Sequence, residues 1–176
     1  LEEGAEDVVN VVAVARRAGV SRQAVYLHFP SRAALAVAAV RWLDEREQLD
    51  AFVAPLLVCQ DPDELLLRFA EFYGAFNSRI ATVGRMIYRL RRLPELEEAW
   101  NDRLTERRRG ARFVSSRLAE AGRLRAPFTE ASAADWLAAM GSVLLWSELV
   151  DDMGWTPSAY VAHLHASFVR TLLVEA

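Results

Sequence analysis

The chain has 176 residues, of which 53% are hydrophobic, 26% charged and 10% aromatic, and its formal net charge is −3. This length and composition allow a buried core and exclude an intrinsically disordered protein. The single cysteine, Cys59, excludes an internal disulfide framework and a thiolate zinc site. We expect a cytoplasmic protein without a membrane span, because no apolar run reaches the roughly 18 residues that a span needs.

Capping residues, prolines and apolar spacing predict an all-α fold of about eight helices. In chain order the predicted helices cover residues 11–18, 21–29, 31–54, a stretch beginning at 61, 79–92, 94–121, 129–151 and a stretch beginning at 156. Gly19 and Gly122 are predicted to end two of them, because glycine adopts a left-handed conformation without strain.

The charge is distributed unevenly along the chain. Between Val8 and Leu43 there are five arginines and no acid, whereas the remainder carries a net charge of −8. A basic module beside an acidic body indicates a polyanion as the partner of the basic module. The alternative is a chance fluctuation in a short stretch of sequence.

Residues 11–29 contain the pattern of a helix-turn-helix. Ala15 lets a second helix approach closely, and Gly19 permits a tight turn. We predict that the apolar side chains between the two helices are Val14, Ala18, Val20 and Val25. The second helix is then free to enter a major groove of DNA. A chance pair of short helices is the alternative.

The sequence GVSRQAVYLHFPSRAAL, residues 19–35, resembles the signature of TetR/AcrR-family transcriptional regulators. In that family G-V-S leads the recognition helix, and Y-x-H-F-x-x-K-x-x-L follows it. The resemblance covers about residues 10–43. It implies an all-α fold with a helix-turn-helix DNA-binding domain over residues 1–43 and an effector-binding and dimerisation domain over residues 44–176.

The resemblance also implies roles for individual residues. Tyr26 and His28 match residues that contact the sugar-phosphate backbone, and Arg32 replaces a lysine at the head of the next helix. Gln23 and Ala24 occupy positions that contact bases, and they suggest an A·T-containing half-site. The predicted DNA-binding residues are Asn10, Ser21, Arg22, Gln23, Ala24, Tyr26, His28 and Arg32.

The sequence departs from the family pattern in three places. Leu27 is apolar where the family usually has a polar residue. Asn10, which stands in place of a capping threonine, lies one residue further from Gly4 than is usual. The family's first helix would precede Gly4, so we expect the sequence as given to lack most of that helix.

Aromatic residues and a methionine in the later helices are the candidates for an effector site. Such residues are more often plain core than pocket. On the family resemblance we predict a small, mostly apolar or aromatic effector that contacts Phe69, Phe72, Tyr73, Phe76, Trp100, Trp136 and Met140.

The last two predicted helices are apolar on more than one face, which predicts a homodimer through a four-helix bundle. The predicted interface residues are Leu137, Val143, Leu144, Leu164, Phe168 and Leu172. The run Arg107, Arg108 and Arg109 is predicted to be a solvated helix face paired with Glu106 and Asp102. A second anion site at these arginines is the alternative.

The sequence therefore predicts a ligand-responsive regulator, most simply a repressor that a small effector releases from a palindromic DNA operator. The alternative is a dimeric helical regulator or carrier protein without sequence-specific DNA binding. An enzyme is disfavoured, because no nucleophile motif or phosphate loop is present and His163 and His165 are poorly spaced to share a metal. No metal or cofactor is expected.

Overall fold

The computed structural model describes residues 10–46 and 49–174, and these are helical apart from turns and one isolated β-bridge. The expected all-α fold is confirmed. In chain order the elements are α1 Val11–Ala18, α2 Arg22–His28, α3 Arg32–Arg46, α4 Leu49–Val58, α5 Pro62–Leu90, α6 Pro94–Glu120, α7 Glu130–Met140, α8 Val143–Trp146, a π-helical segment Ser147–Asp152 and α9 Pro157–Leu172. The expectation about a first helix near Gly4 lies outside the described residues.

The predicted helix ends in the first part of the chain are confirmed. Side-chain oxygens of Asn10, Ser21 and Ser31 accept hydrogen bonds of 2.9, 3.1 and 3.0 Å from backbone N–H groups three residues further on. Such caps satisfy donors that have no partner within the helix. Gly19 has a φ of 68° and ends α1, while the N–H of Val20 donates to the carbonyl of Ala15 at 3.0 Å. This is a Schellman end, which fixes the turn into α2.

Two predicted boundaries are wrong. The stretch 79–92 is not a separate helix, because α5 continues through it as far as Leu90. Its two glycines, Gly74 and Gly84, are both buried and do not interrupt it. Pro55 does not end a helix but lies inside α4. A proline removes one hydrogen bond from a helix, which packing elsewhere can offset.

The predicted helix over 129–151 is interrupted. It ends at Met140, Gly141 follows, and Ser142 caps the short helix α8. By length and composition the stretch Glu130–Asp152 is apolar enough to cross a membrane, although no uninterrupted apolar run was expected there, and 44% of its most apolar 18-residue window is buried inside the chain. The core helix of a folded domain passes the same test. We therefore interpret it as core helix.

The chain forms two compact units. The head unit contains Leu1–Glu47 and Thr82–Arg103, and the body unit contains Gln48–Ala81 and Leu104–Ala176. This grouping differs from a single division after Leu43. The second segment belongs to the head unit because Leu90 and Leu96 form a buried cluster with Ala36 of α3.

The body unit has an extensive core to which all its helices contribute. Phe69 of α5 contacts Phe168 of α9, with ring centroids 6.0 Å apart. Trp146 of α8 meets Tyr160 of α9 edge-on at 4.9 Å. Val114 and Leu118 of α6 are fully buried in the same core.

The residues that we predicted for a dimer interface lie in this core. Leu144 is half-buried against it, and the buried ones are Leu137, Val143, Leu164, Phe168 and Leu172. They fill one subunit because α5 and α6 present apolar faces to them within the same core. The inference that they exceed the needs of one core is therefore wrong, and the dimer itself stays a prediction.

Candidate functional site

Helices α1 and α2 are held together by a small apolar contact. Val11, Ala15 and Val25 are buried, and Phe29 packs against them. Burial of Val25 is as predicted. The other residues predicted between the helices, Val14, Ala18 and Val20, are exposed. The contact face of α1 is instead the row formed by Val11 and Ala15, which lie four residues apart on one side of the helix.

The predicted DNA-binding residues are mostly at the surface. Ala24 and Arg32 are half-buried, and the exposed ones are Asn10, Ser21, Arg22, Gln23, Tyr26 and His28. Arg22, Gln23 and Tyr26 come together on the exposed side of α2. The side-chain oxygens of Asn10 and Ser21 are engaged as helix caps. They therefore present a helix N-terminus, which favours an anion such as a phosphate.

Leu27 is the most exposed large apolar residue of α2, at 80%. The sequence pattern marked it only as a departure. It lies on the same short helix as the exposed residues Arg22 and Tyr26, where its side chain is available to a partner.

The head unit also contains a second group of basic residues. Arg89 at the end of α5 and Arg92 just beyond it are exposed. Arg91 lies over the ring of Tyr88, 3.8 Å from its centroid. The sequence marked 79–92 as rich in arginine, but the structure is needed to group these residues with the DNA-binding helices.

Five of the seven predicted effector residues come together in the body unit. Tyr73 meets Phe69 and Phe72 edge-on, at 4.9 and 5.1 Å between ring centroids. Phe76 stacks on Phe72 at 5.5 Å, and half-buried Met140 packs against the same core. This aromatic row belongs to α5.

The other two predicted effector residues lie elsewhere. Trp100 belongs to the head unit and contacts Tyr88 at 5.4 Å. Trp136 is 37% exposed and contacts Phe128 at 6.4 Å. Spacing along one helix could place neither residue, because Tyr88 lies on α5 and Phe128 precedes α7, so each contact crosses a turn.

Polar groups that the sequence did not reveal lie beside the aromatic row, where α7 ends. The side-chain amide of Asn77 donates a hydrogen bond to the backbone carbonyl of Gly141 at 3.3 Å. The hydroxyl of Tyr160 donates one to the backbone carbonyl of Met140 at 3.4 Å. These bonds satisfy carbonyls at a buried helix end. A Cβ atom on Gly141 would lie 2.6 Å from the Tyr73 ring, so only glycine fits here.

The tyrosines of this region are held neutral. Burial raises the pKa of Tyr73 well above its usual 10.0, although Arg107 nearby lowers it. Burial also raises the pKa of Tyr160 to about 12, against a lowering effect of Asn77. A buried phenol resists ionisation because the charged form loses its hydration.

The arginine run of α6 is not the uniform solvated face that we predicted. Arg109 pairs with Glu106 at 2.7 Å, as predicted, but Arg108 lies 3.7 Å from Asp135 of α7. Arg107 is half-buried, and its buried Nε atom has no hydrogen-bond partner. Its predicted pairing with Glu106 or Asp102 is therefore wrong, because its side chain turns toward the core and Tyr73.

The two neighbouring histidines have separate surroundings. His163 contacts the ring of Trp155 at 5.0 Å, and His165 Nε2 lies 3.2 Å from a carboxylate oxygen of Asp63. Within residues 10–46 and 49–174 no group of three or more histidine, cysteine or acidic side chains is placed to hold a metal ion.

Several solved structures share this fold. A protein from Saccharomonospora viridis, described as a transcriptional regulator and solved in complex with choline, is 21% identical with a TM-score of 0.73, over 95% of this chain and 88% of that chain. NalD, the secondary repressor of the MexAB-OprM multidrug efflux pump in Pseudomonas aeruginosa, is 21% identical with a TM-score of 0.66, over 98% and 94%. At these identities the likeness shows the fold.

A helix-turn-helix with an exposed basic second helix, on a larger helical body, defines the class of DNA-binding transcriptional regulators. The family described as bacterial regulatory proteins, tetR family, matches residues 2–39 of the sequence. This match shows that residues 2–39 belong to the tetR family of bacterial regulatory proteins. No match is found among curated proteins.

Proposed function

We propose that the protein is a ligand-responsive repressor, which binds a palindromic operator as a homodimer and is released by a small effector. The observation that carries the proposal is the exposed face of α2. Arg22, Gln23 and Tyr26 stand together there, after a capped turn, in a segment from Val8 to Leu43 without a single acid. A basic face on a helix of this kind fits a major groove.

The homodimer would place two copies of α2 about 34 Å apart, one helical turn of DNA. With the predicted interface residues inside the core, the surface left for pairing on α7 and α9 is their exposed side. It includes Trp136 and Ala139 on α7 and Ala162, His163 and Arg170 on α9. Sedimentation equilibrium tests the dimer, which a monomer at tens of micromolar would refute.

Effector release is proposed to act through α5. This helix begins in the body unit, where its aromatic row lies, and ends in the head unit, where Leu90 packs with Ala36 of α3. An effector that displaces α5 would change the position of α3 and the spacing of the two recognition helices. The S. viridis neighbour, solved with choline, supports a small-molecule site in a body of this fold. A protein that binds an operator acts where the DNA is, so the proposal includes a cytoplasmic location.

The test measures, by fluorescence anisotropy at several salt concentrations, the binding of the full chain to DNA from its own promoter region. Arg22→Ala should weaken binding by about 1–3 kcal/mol, and a lost phosphate contact should reduce the salt slope by about one. Arg109→Ala, an exposed arginine of the body unit, is the matched control and should leave affinity unchanged. Failure of the unchanged protein to bind at low salt would refute the proposal.

A second function is favoured by Leu27, whose 80% exposure suits a protein partner as well as a thymine methyl group. A dimeric regulator without sequence-specific DNA binding would use this surface for protein contacts. Leu27→Gln distinguishes the two functions. It should weaken operator binding if Leu27 meets a base. If α2 contacts a protein instead, the unchanged chain should show no preference for operator DNA over unrelated DNA, and Leu27→Gln should not alter that result.

A further inference from the structure

Arg107 is a half-buried cation without a carboxylate partner among the described residues. Its Nε atom is buried without a hydrogen-bond partner, and the structure gives the residue no ion pair within the described ranges 10–46 and 49–174. Its neighbours Arg108 and Arg109 do have carboxylate partners. An unpaired, partly desolvated guanidinium is costly, so its retention at this position calls for an explanation.

The surroundings of Arg107 do not neutralise it. Tyr73, the group whose interaction with Arg107 is largest, is buried and stays a neutral phenol. Arg108 adds a second positive charge nearby. Among the described residues no carboxylate is paired with Arg107, so the negative charge of a ligand would meet an unpaired cation here.

A second unpartnered group lies in the same unit. Ser147 is only 4% exposed, and its hydroxyl oxygen has no hydrogen-bond partner among the described residues. It begins the π-helical segment and follows Trp146, whose ring contacts Tyr160. Tyr160 in turn interacts with Tyr73, the neighbour of Arg107. Segments of π-helix occur often at functional sites.

An apolar surface adjoins these polar groups. Phe72 contacts Tyr73 edge-on and stacks on Phe76 with an angle of 11° between the rings. Both phenylalanines are half-buried, so each keeps some surface to offer a ligand. A ligand that contacts both Arg107 and the two phenylalanine rings needs an anionic hydrogen-bond acceptor and an apolar part.

We propose that the body unit binds a small amphipathic carboxylate, whose carboxylate accepts a hydrogen bond from Arg107 and whose apolar part packs against Phe72 and Phe76. This inference rests on the proposed function, in which the body unit takes an effector. It replaces the mostly apolar effector of the sequence prediction with an anionic one. It also separates this chain from a choline site, because a quaternary ammonium beside Arg107 would bring two positive charges together.

The test uses three probes that share a ten-carbon chain: decanoate, decan-1-ol and decyltrimethylammonium. Isothermal titration calorimetry on the full chain should show decanoate binding about tenfold or more tightly than the alcohol, and the cation most weakly. Arg107→Gln should remove the preference for decanoate. Arg108→Gln, the neighbouring exposed arginine, is the matched control and should keep it.

A second measurement does not depend on any probe. Without ligand, Arg107→Gln and Arg107→Met should each raise Tm by about 2–4 °C, because an unpaired buried charge is removed. Unchanged or lowered Tm in both variants would show that Arg107 is satisfied in the free protein and would overturn the proposal. Equal binding of decanoate by the Arg107→Gln protein, tighter binding of the cation, or no binding of decanoate would also overturn it.

The two proposals can fail separately. Operator binding is measured on the full chain without probes, so its absence refutes the regulator and leaves the calorimetric result intact. If the operator binds and decanoate does not, the carboxylate site alone is refuted.

Discussion

The head unit and the body unit use their apolar residues in opposite ways. Around α1 and α2 a small cluster of Val11, Ala15 and Val25 holds the helices, while Leu27 and Val20 face solvent. In the body unit a large apolar core is buried, and among its described residues Leu57, Val58, Trp136 and Met153 are the large apolar side chains that stay exposed. The body unit also contains a cation, Arg107, whose Nε atom is buried.

Because of this difference, substitutions on α2 should affect binding, and substitutions in the core of the body unit should affect stability. A surface residue of α2 has few intramolecular contacts, so its substitution should change affinity for a partner and leave folding nearly unchanged. A core residue of the body unit has many contacts, so its substitution should lower the free energy of unfolding. The predictions below test this separation.

The largest effect is expected for Phe168→Ala in α9. Phe168 is fully buried and contacts Phe69, so its truncation should lower the free energy of unfolding by about 3–5 kcal/mol. Urea denaturation followed by circular dichroism measures it. Leu27→Ala on α2 is the control and should stay within about 0.5 kcal/mol. Similar losses in both variants would break the comparison between the units.

Next in size is an alkaline effect in the body unit. Because burial raises the pKa of Tyr160 from 10.0 to about 12, this side chain stays protonated in the folded protein while the unfolded chain ionises. The free energy of unfolding should therefore fall between pH 10 and pH 12, by up to about 1.4 kcal/mol per pH unit for this residue.

Tyr160→Phe isolates that contribution. At pH 8 the variant should be about 1 kcal/mol less stable, since the hydrogen bond to the Met140 carbonyl is lost. Its deficit should shrink as the pH rises from 10 to 12, because it has no phenol to ionise. Parallel stability curves for the two proteins in urea at each pH would show that Tyr160 does not titrate abnormally.

The head unit was the more predictable from the sequence, because its signals are local. The caps at Asn10, Ser21 and Ser31 and the turn at Gly19 each depend on residues within a few positions of one another. The motif therefore specified the helices and the exposed residues of α2. It did not specify which apolar residues meet, since Val14 faces outward and Val11 inward.

The body unit was predictable as helices but not as a site. Asn77 and Gly141 are 64 residues apart and meet only through tertiary packing. Arg107 and Arg108 are adjacent in the sequence, yet one turns inward and the other pairs with Asp135. Charge runs and apolar spacing do not distinguish such neighbours, because the distinction depends on where α7 packs against α6.

A smaller effect is expected from two glycines in contrasting conformations. Gly19 in the head unit has a φ of 68°, so Gly19→Ala should cost about 1–2 kcal/mol in backbone strain. Gly110 in α6 has open space around it, and Gly110→Ala should stabilise by about 0.5–1 kcal/mol. Thermal denaturation of both variants measures the contrast. Stabilisation by Gly19→Ala would contradict the left-handed end of α1.

The smallest effect is expected at the surface of the body unit. Glu106 and Arg109 pair at 2.7 Å, but both side chains are largely exposed, at 61% and 79%. Water and salt screen such a pair, so Glu106→Gln should change the free energy of unfolding by less than about 0.5 kcal/mol. Urea denaturation at low and at high salt measures this change. On the same helix, Arg107 is expected to destabilise the free protein because its side chain is half-buried, whereas the exposed pair should have almost no effect. A large loss of stability in Glu106→Gln would show that burial does not decide how much a charge on α6 contributes to the free energy of unfolding.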